Sequence, residues 1–408
     1  MILVVGASVR ALMESAAESG QDVTGLDFFG DVDAGWQGKA MSLTGDYGLK
    51  PTVGNLLEAA RGISCETLVY TSGPENTPEG LAYWEDLGQL GGNSIAALTK
   101  VRNPWELRAS LGKIGARMPP FFAVKEWTPP SPPKTWLLKP LDRGGGHGIE
   151  VLPPNKEAAE AVLSGLKQPA RYRIEEYQAG IPGSVTFLAN GHEAVVLGSS
   201  RQLAGTRARN RTFLYQGNIV PLDLSGMMTS KTFAEEITQV IRQLTEDFAL
   251  RGINTLDFII NGGGICFLEL NPRWSASVEL IEKSLDQRFF SWHLAASAGA
   301  DLTVLRKYLE LITIKLGRFA RSRIFWGKRI VYTQAPGMVV KYDNRVLRSL
   351  YRQGVRDIPR EGTRLEKGQP ICTVLAEGSS DRECDRQLWA KAIWIRQYFE
   401  QAEGYALI

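Results

Sequence analysis

The chain has 408 residues, 44% hydrophobic and 22% charged, with 47 Lys and Arg against 44 Asp and Glu, a net charge of +3. Single cores rarely grow beyond about 250 to 300 residues, so this length calls for two or three domains of an ordinary soluble globular protein. So small a charge excludes nucleic-acid binding driven by net charge alone, and no run approaches the roughly eighteen apolar residues of a membrane span.

The chain opens on an apolar strand, Met1 to Val5, without a basic leader. No signal peptide is expected, and the cytoplasm is the expected compartment. Residues 1–104 then alternate strands and helices: a helix from Arg10 to Ser19, the strand DVTGLDFF and, after further helical sequence, TLVYTSG. Such alternation predicts a parallel sheet with helices on its faces, its strand ends at Ser72, Gly73 and Glu75 opening onto a ligand crevice. The turn Gly6, Ala7, Ser8, with Asp27 about twenty residues on, resembles a dinucleotide turn, but the full G-x-G-x-x-G is missing and NAD is not the expected ligand. Asn103 and Pro104 break the helical sequence that follows, Pro119 with Pro120 ends it, and Pro129 to Pro133 reads as a stiff connector.

WLLKPLDRGGGHGIEVL places Lys139 at the end of a strand, before a loop holding Gly144, Gly145, Gly146 and Gly148 around His147. A glycine loop approaches phosphates closely and offers them backbone N–H donors, and Lys139 adds a positive charge. His147 is either a γ-phosphate contact or a solvated loop residue. The spacing of a P-loop is absent. Residues 171–188 read as two strands around a turn, with Glu175, Glu176, Tyr177 and Gln178 where the first strand ends. The segment after it concentrates Arg201, Arg207, Arg209 and Arg211, a basic loop beside the phosphate site. Lys231 to Arg251 is an amphipathic helix with Phe233, Ile237, Ile241, Leu244 and Phe248 at helical spacing.

From Thr255 to Arg273 the sequence TLDFIINGGGICFLELNPR predicts a β-hairpin, with apolar strands Leu256–Ile260 and Ile265–Leu270 around the turn 261–264. Asp257 and Glu269 are carboxylates in otherwise apolar strands, and Asn271 and Arg273 follow at alternating positions, so all four can share one face. Buried acids need a partner, and magnesium suits them because it takes hard oxygen ligands from one or two carboxylates and completes its shell with phosphate oxygens and water. The planar fork of Arg273 suits a carboxylate or phosphate. Farther on, His293 sits among apolar residues as a core histidine, and eight basic residues from Arg306 to Arg329 face a single acid, Glu310. The four cysteines lack paired metal-ligand spacing and read as thiols in a reducing compartment. The tail alternates short strands with Gly turns, then ends in a helix.

The acid, the turn and E-x-N-P-R resemble the metal hairpin of the ATP-grasp superfamily, in the biotin-carboxylase-like branch. The phrases LGGNS, RNP, GGGHGI, IPGSV, LGSSRQL, GNIVPL, ELNPRWSASVE and DIPREGT with CTVLAEG resemble a group of predicted carboligases found with the methanopterin-linked one-carbon genes of methylotrophic bacteria and planctomycetes. The resemblance implies a mixed α/β and α+β fold: a Rossmann-like domain over 1–104, an ATP-grasp nucleotide-binding domain over 105–305, and a small β-containing accessory lobe or lid over 306–408. It implies ATP with Mg2+ or Mn2+, held by Asp257, Glu269 and Asn271. Lys139 and the loop Gly144–Gly148 meet the phosphates, and Glu175, Glu176, Tyr177 and Gln178 meet adenine and ribose. Arg273 and Lys139 take the catalytic roles. The implied activity is ligation of a small-molecule carboxylate to an amine, with activation of bicarbonate or a non-catalytic ATP-binding module as the alternatives, no nucleic-acid or membrane partner and room for a homodimer. The first ATP lysine of many such enzymes has no clear match, with Lys100 and Lys113 as positional candidates.

Overall fold

The computed structural model describes residues 1–128, 134–204, 213–319, 324–339, 343–400 and 405–407, with backbone only for 312–319, 400 and 405–407. The connector 129–133 and Arg207, Arg209 and Arg211 lie outside the described residues.

Strands β1 (Ile2–Val5), β2 (Val23–Asp27), β3 (Lys39–Ser42), β4 (Thr67–Tyr70) and β5 (Leu90–Gly91) form a parallel sheet in the order β3-β2-β1-β4-β5. All four residues of β1 are buried, as expected for an unbroken apolar run covered on both faces. β2 stops at Asp27, short of the predicted end. Its carboxylate accepts the N–H groups of Val9, Phe29 and Gly30 at 3.1, 2.9 and 2.6 Å, so it shapes a turn.

A second, antiparallel sheet holds β6 (Phe121–Ala123), β7 (Trp136–Pro140), β8 (Glu150–Val151) and β9 (Tyr172–Glu176), ordered β6-β9-β7-β8. The chain continues through β10 (Ile181–Asn190), β11 (Ala194–Ala204), β12 (Tyr215–Val220), β13 (Arg251–Asn261), β14 (Gly264–Asn271) and β15 (Phe325–Tyr332). It ends with β16 (Gly337–Val339), β17 (Val355–Arg356), β18 (Arg364–Leu365), β19 (Pro370–Gly378) and β20 (Tyr405–Leu407). Eight of these make one large sheet, ordered β14-β13-β10-β11-β12-β15-β19-β17; β18, β16 and β20 make a small one. Residues 306–408, expected as an accessory lobe, therefore supply three strands to the sheet that carries the predicted hairpin, with β15 hydrogen-bonded to β12.

The predicted amphipathic helix runs from Ser230 to Phe248, not to Arg251, because Ala249 turns left-handed at φ 51° and Arg251 already opens β13. Its face Phe233, Ile237, Ile241, Leu244 and Phe248 is buried against Val185, Phe187, Leu256 and Phe267, each such side chain contributing about 1.5 to 3 kcal/mol. All four cysteines are free thiols. Among the described residues no helix is long and apolar enough to cross a membrane.

A buried charge cluster locks the parallel sheet to the rest of the chain. Arg10, on the helix Arg10–Glu18, is 1% exposed and donates through both Nη atoms to Glu279 at 2.7 and 3.0 Å, through Nη1 to Glu14 at 2.9 Å and through Nε to Asp357 at 2.9 Å. Lys328 Nζ reaches the same Glu279 at 2.9 Å. Burial works to raise Glu279, yet Arg10 and Lys328 hold it well below the usual carboxylate range. Nearby Asp33, pushed up to about 6 chiefly by burial, accepts the Asp357 and Ile358 N–H groups at 3.0 and 2.8 Å.

Candidate active site

The hairpin forms as its sequence predicts, with Gly262 and Gly263 linking β13 to β14 and the Gly263 N–H folding back onto Asn261 Oδ1 at 3.0 Å. Its register sets Asp257 opposite Glu269 and Thr255 opposite Asn271. Asn271 Nδ2 donates to Asp257 Oδ2 at 3.0 Å, while Asp257 Oδ1 is buried with no hydrogen-bond partner of normal geometry among the described residues. Burial first, then the charge of Glu269, push Asp257 up to about 8, with Gln202, Arg273 and Asn271 pulling it back. Two facing acids, one with an orphaned oxygen, fit a hard divalent cation. Among the described residues no three His, Cys, Asp or Glu could hold a metal together. A cation here would rest on Asp257, Glu269 and Asn271, with phosphate oxygens and water in its remaining positions, which is how Mg2+ is usually held.

Arg273 lies on the same face. Its Nε donates to Glu75 Oε1 of the first domain at 2.6 Å and its Nη2 to Asn271 Oδ1 at 3.3 Å. Glu75, expected only as a crevice residue, is thus the partner that aims Arg273. Asp257, Glu269, Asn271 and Arg273 border a cleft of about 1560 Å3, which also takes in Ser72, Gly73 and Glu75 as expected.

Lys139, the glycine loop and residues 175–178 border this cleft too. Lys139, Gly144, His147 and Glu269 share a smaller pocket of about 40 Å3, so the lysine and the loop stand beside the hairpin. Lys139 is buried, its Nζ 2.9 Å from Glu175 Oε1, while Arg173 donates to Glu175 Oε2 at 2.7 and 2.9 Å. Burial acts to raise Glu175, but Lys139 and Arg173 hold it below its ordinary value. The Glu175 carboxylate, expected at the nucleotide, is instead spent on orienting two cations. The Glu176 and Tyr177 N–H groups are likewise used, donating to Pro120 O and Thr135 O at 2.9 Å each. Pro120 has no N–H with which to return a bond to the Glu176 carbonyl. Gln178 borders the cleft beside them.

Gly145, Gly146 and Gly148 hold φ of +63°, +78° and +74°, a region open to glycine at little cost. The loop already meets the opposite sheet: Tyr215 N–H donates to Gly145 O at 3.0 Å, and a Cβ on Gly146 would stand 1.9 Å from Phe213 O. Gly146→Ala is expected to displace the loop and weaken ATP binding roughly tenfold or more, since left-handed strain alone costs about 1 to 3 kcal/mol. Titration with a fluorescent ATP analogue checks this, and unchanged binding would remove the loop from the nucleotide site.

Neither lysine candidate reaches the cleft. Lys113 pairs with Asp247 at 2.7 Å, and Lys100 is exposed at the end of the helix Ile95–Val101. Arg102 also reaches the glycine loop, beside Lys139 and Arg143, its Nη2 donating to Leu141 O and Arg143 O at 2.9 and 3.2 Å. The basic runs are largely neutralised where described: Arg201 and Arg329 pair with Asp385, Arg306 with Glu193 and Lys328 with Glu279. His293 is a core residue as expected, buried, with Nδ1 accepting the Ile253 N–H at 2.9 Å; burial pushes it down to about 4.

A family model described as an ATP-grasp domain matches residues 101–277. An uncharacterized protein of Methanocaldococcus jannaschii, MJ0776, is 22% identical over 290 residues, covering 70% of this chain and 63% of its own length. The chain therefore spans less than two thirds of that curated relative. Among solved structures, the biotin carboxylase domain dimer of Hydrogenobacter thermophilus 2-oxoglutarate carboxylase, in complex with MgADP, ADP and bicarbonate, superposes with a TM-score of 0.66 at 13% identity, over 99% of this chain and 91% of that one. The L-amino acid ligase of Bacillus licheniformis superposes with a TM-score of 0.65 at 17% identity, over 95% and 96%. Residues 101–277 thus match an ATP-grasp domain, within a chain folded like the biotin carboxylase and ligase structures.

Proposed function

We propose that this protein is an ATP-dependent carboxylate–amine ligase that works through an acyl phosphate and releases ADP and phosphate. The observation that carries the proposal is the cross-strand pair Asp257 and Glu269, with Asn271 and Arg273 beside it, facing Lys139 and the glycine loop across one cleft. A bound Mg2+ supplies Lewis-acid charge at the phosphates. A substrate carboxylate oxygen attacks the γ-phosphorus of ATP and the bond to ADP breaks. Lys139, aimed by Glu175, and the loop N–H groups neutralise the charge that develops. The amine nitrogen then attacks the acyl carbon, phosphate leaves with the C–O electron pair, and the amine gives up a proton. Arg273, held by Glu75, orients the carboxylate. The closed loop excludes water that would hydrolyse the acyl phosphate.

The resemblance of the sequence phrases to the methanopterin-linked carboligases extends the proposal to pterin- or furan-type one-carbon cofactor precursors as substrates. A second reading, in which bicarbonate takes the place of the carboxylate, is supported by the bicarbonate named with the H. thermophilus structure.

Product analysis by mass spectrometry separates the two. The protein is supplied with MgATP and a panel of amino acids and pterin or furan precursors, with and without bicarbonate. ADP and phosphate formed only with a particular carboxylate and amine are expected. Dependence on bicarbonate favours the second reading, ATP binding without turnover makes the protein a nucleotide-binding module, and AMP with pyrophosphate overturns the acyl phosphate.

A further inference from the structure

Asn93 is 1% exposed and sits just after β5, in a different sheet from the hairpin. Its side chain nevertheless makes three hydrogen bonds to the hairpin and the residues that follow it. Oδ1 accepts the Arg251 N–H at 2.8 Å, where β13 begins, and Nδ2 donates to Asn254 Oδ1 at 2.9 Å and to Pro272 O at 3.0 Å. The Tyr70 hydroxyl, at the end of β4, stands between the same Pro272 carbonyl at 3.3 Å and the Asn93 carbonyl at 3.4 Å, each an acceptor for its proton. Pro272 separates Asn271 from Arg273. The β13–β14 ladder ends at the pair Thr255 and Asn271, so beyond that point the sheet no longer fixes the chain. Two donors from the parallel-sheet domain take over that task, each in a buried setting where the bond is hard to replace with water.

We infer that Asn93 is a positioning residue for the metal hairpin, with Tyr70 as its auxiliary. By holding the Pro272 carbonyl, the two set where Asn271 and Arg273 stand relative to Asp257 and Glu269. The first domain is thereby part of the metal site without contributing a ligand to it. This rests on the reading of the hairpin given above, and a displacement of about 1 Å at such a site is enough to matter.

The test uses the full chain and Mn2+ as the probe, with free Mn2+ followed by electron paramagnetic resonance in the presence of ADP and thermal unfolding recorded in parallel. Asn93→Ala is expected to weaken Mn2+ binding about tenfold or more, the usual cost of losing an outer support of a metal site. Tyr70→Phe, which removes one hydroxyl and keeps the packing, is expected to weaken it roughly two- to fivefold, and stands in should Asn93→Ala fail to fold. Glu269→Ala marks the loss of the hairpin site itself. If Glu269→Ala abolishes Mn2+ binding while both other variants bind as the parent does and only unfold at lower temperature, the two residues are scaffold and the inference is overturned. If Glu269→Ala leaves Mn2+ binding intact, the hairpin is not the metal site, and the inference falls together with the reading beneath it.

Discussion

Replacing Glu269 by alanine is expected to lower ATP turnover by at least about a thousandfold, roughly 4 kcal/mol of transition-state stabilisation, while leaving the fold intact. The fold survives because Glu269 is a liability without a cation: burial and the Glu269 charge push Asp257 up to about 8. An acid whose folded pKa lies above its unfolded value contributes most below the unfolded value, and the contribution is lost as pH rises through the folded one. The metal-free parent protein should therefore lose stability between about pH 4 and pH 8, and Mg2+ should restore it by favouring Asp257 in its charged form. Glu269→Ala should show neither the full loss nor the Mg2+ rescue. Melting temperatures across that pH range, with MgCl2 and with EDTA, read this out. Normal turnover in the variant would refute the metal assignment.

The second large effect lies away from the cleft floor. Arg10→Leu removes the cation shared by Glu279, Glu14 and Asp357, leaving the buried Glu279 with Lys328 alone and Glu14 with the Tyr351 hydroxyl. Stripping one partner from a buried network costs about 3 to 5 kcal/mol, a large part of the total stability of a typical protein. The direction with pH is fixed by the acids left behind. Without Arg10 the folded pKa of Glu279, which Arg10 and Lys328 together hold down, rises, so the penalty is largest at neutral pH and shrinks as pH falls towards 4. Urea unfolding of parent and variant at pH 4.5 and 7.5 checks both the size and the sign. A pH-independent difference would mean that Arg10 contributes packing rather than charge.

The hairpin was legible because everything it needs is local. Period-two apolar residues, a Gly-rich turn and acids at matching positions specify both the strands and the face on which Asp257, Glu269, Asn271 and Arg273 meet. The parallel sheet was legible from alternation for the same reason. What escaped was long-range. Nothing near Lys139 announces Glu175, and nothing near Arg273 announces Glu75, 198 positions away. Strand neighbours that are not consecutive leave no local trace either, so β19 reads as part of a separate lobe until it is seen paired with β15. The right end of the helix Ser230–Phe248 was missed because an alanine, not a glycine, takes the left-handed position that stops it.

The charge cluster around Arg10 also has a consequence for synthesis. When the first domain leaves the ribosome, Arg10 has Glu14 from its own helix and Asp33 at 3.7 Å; Glu279 and Asp357 lie 269 and 347 positions farther along the chain. At about 5 to 20 residues per second they follow tens of seconds later. Throughout that interval the end of the nascent domain that will meet the large sheet carries an arginine short of its final partners. The domain takes its finished form only once Asp357 has been made.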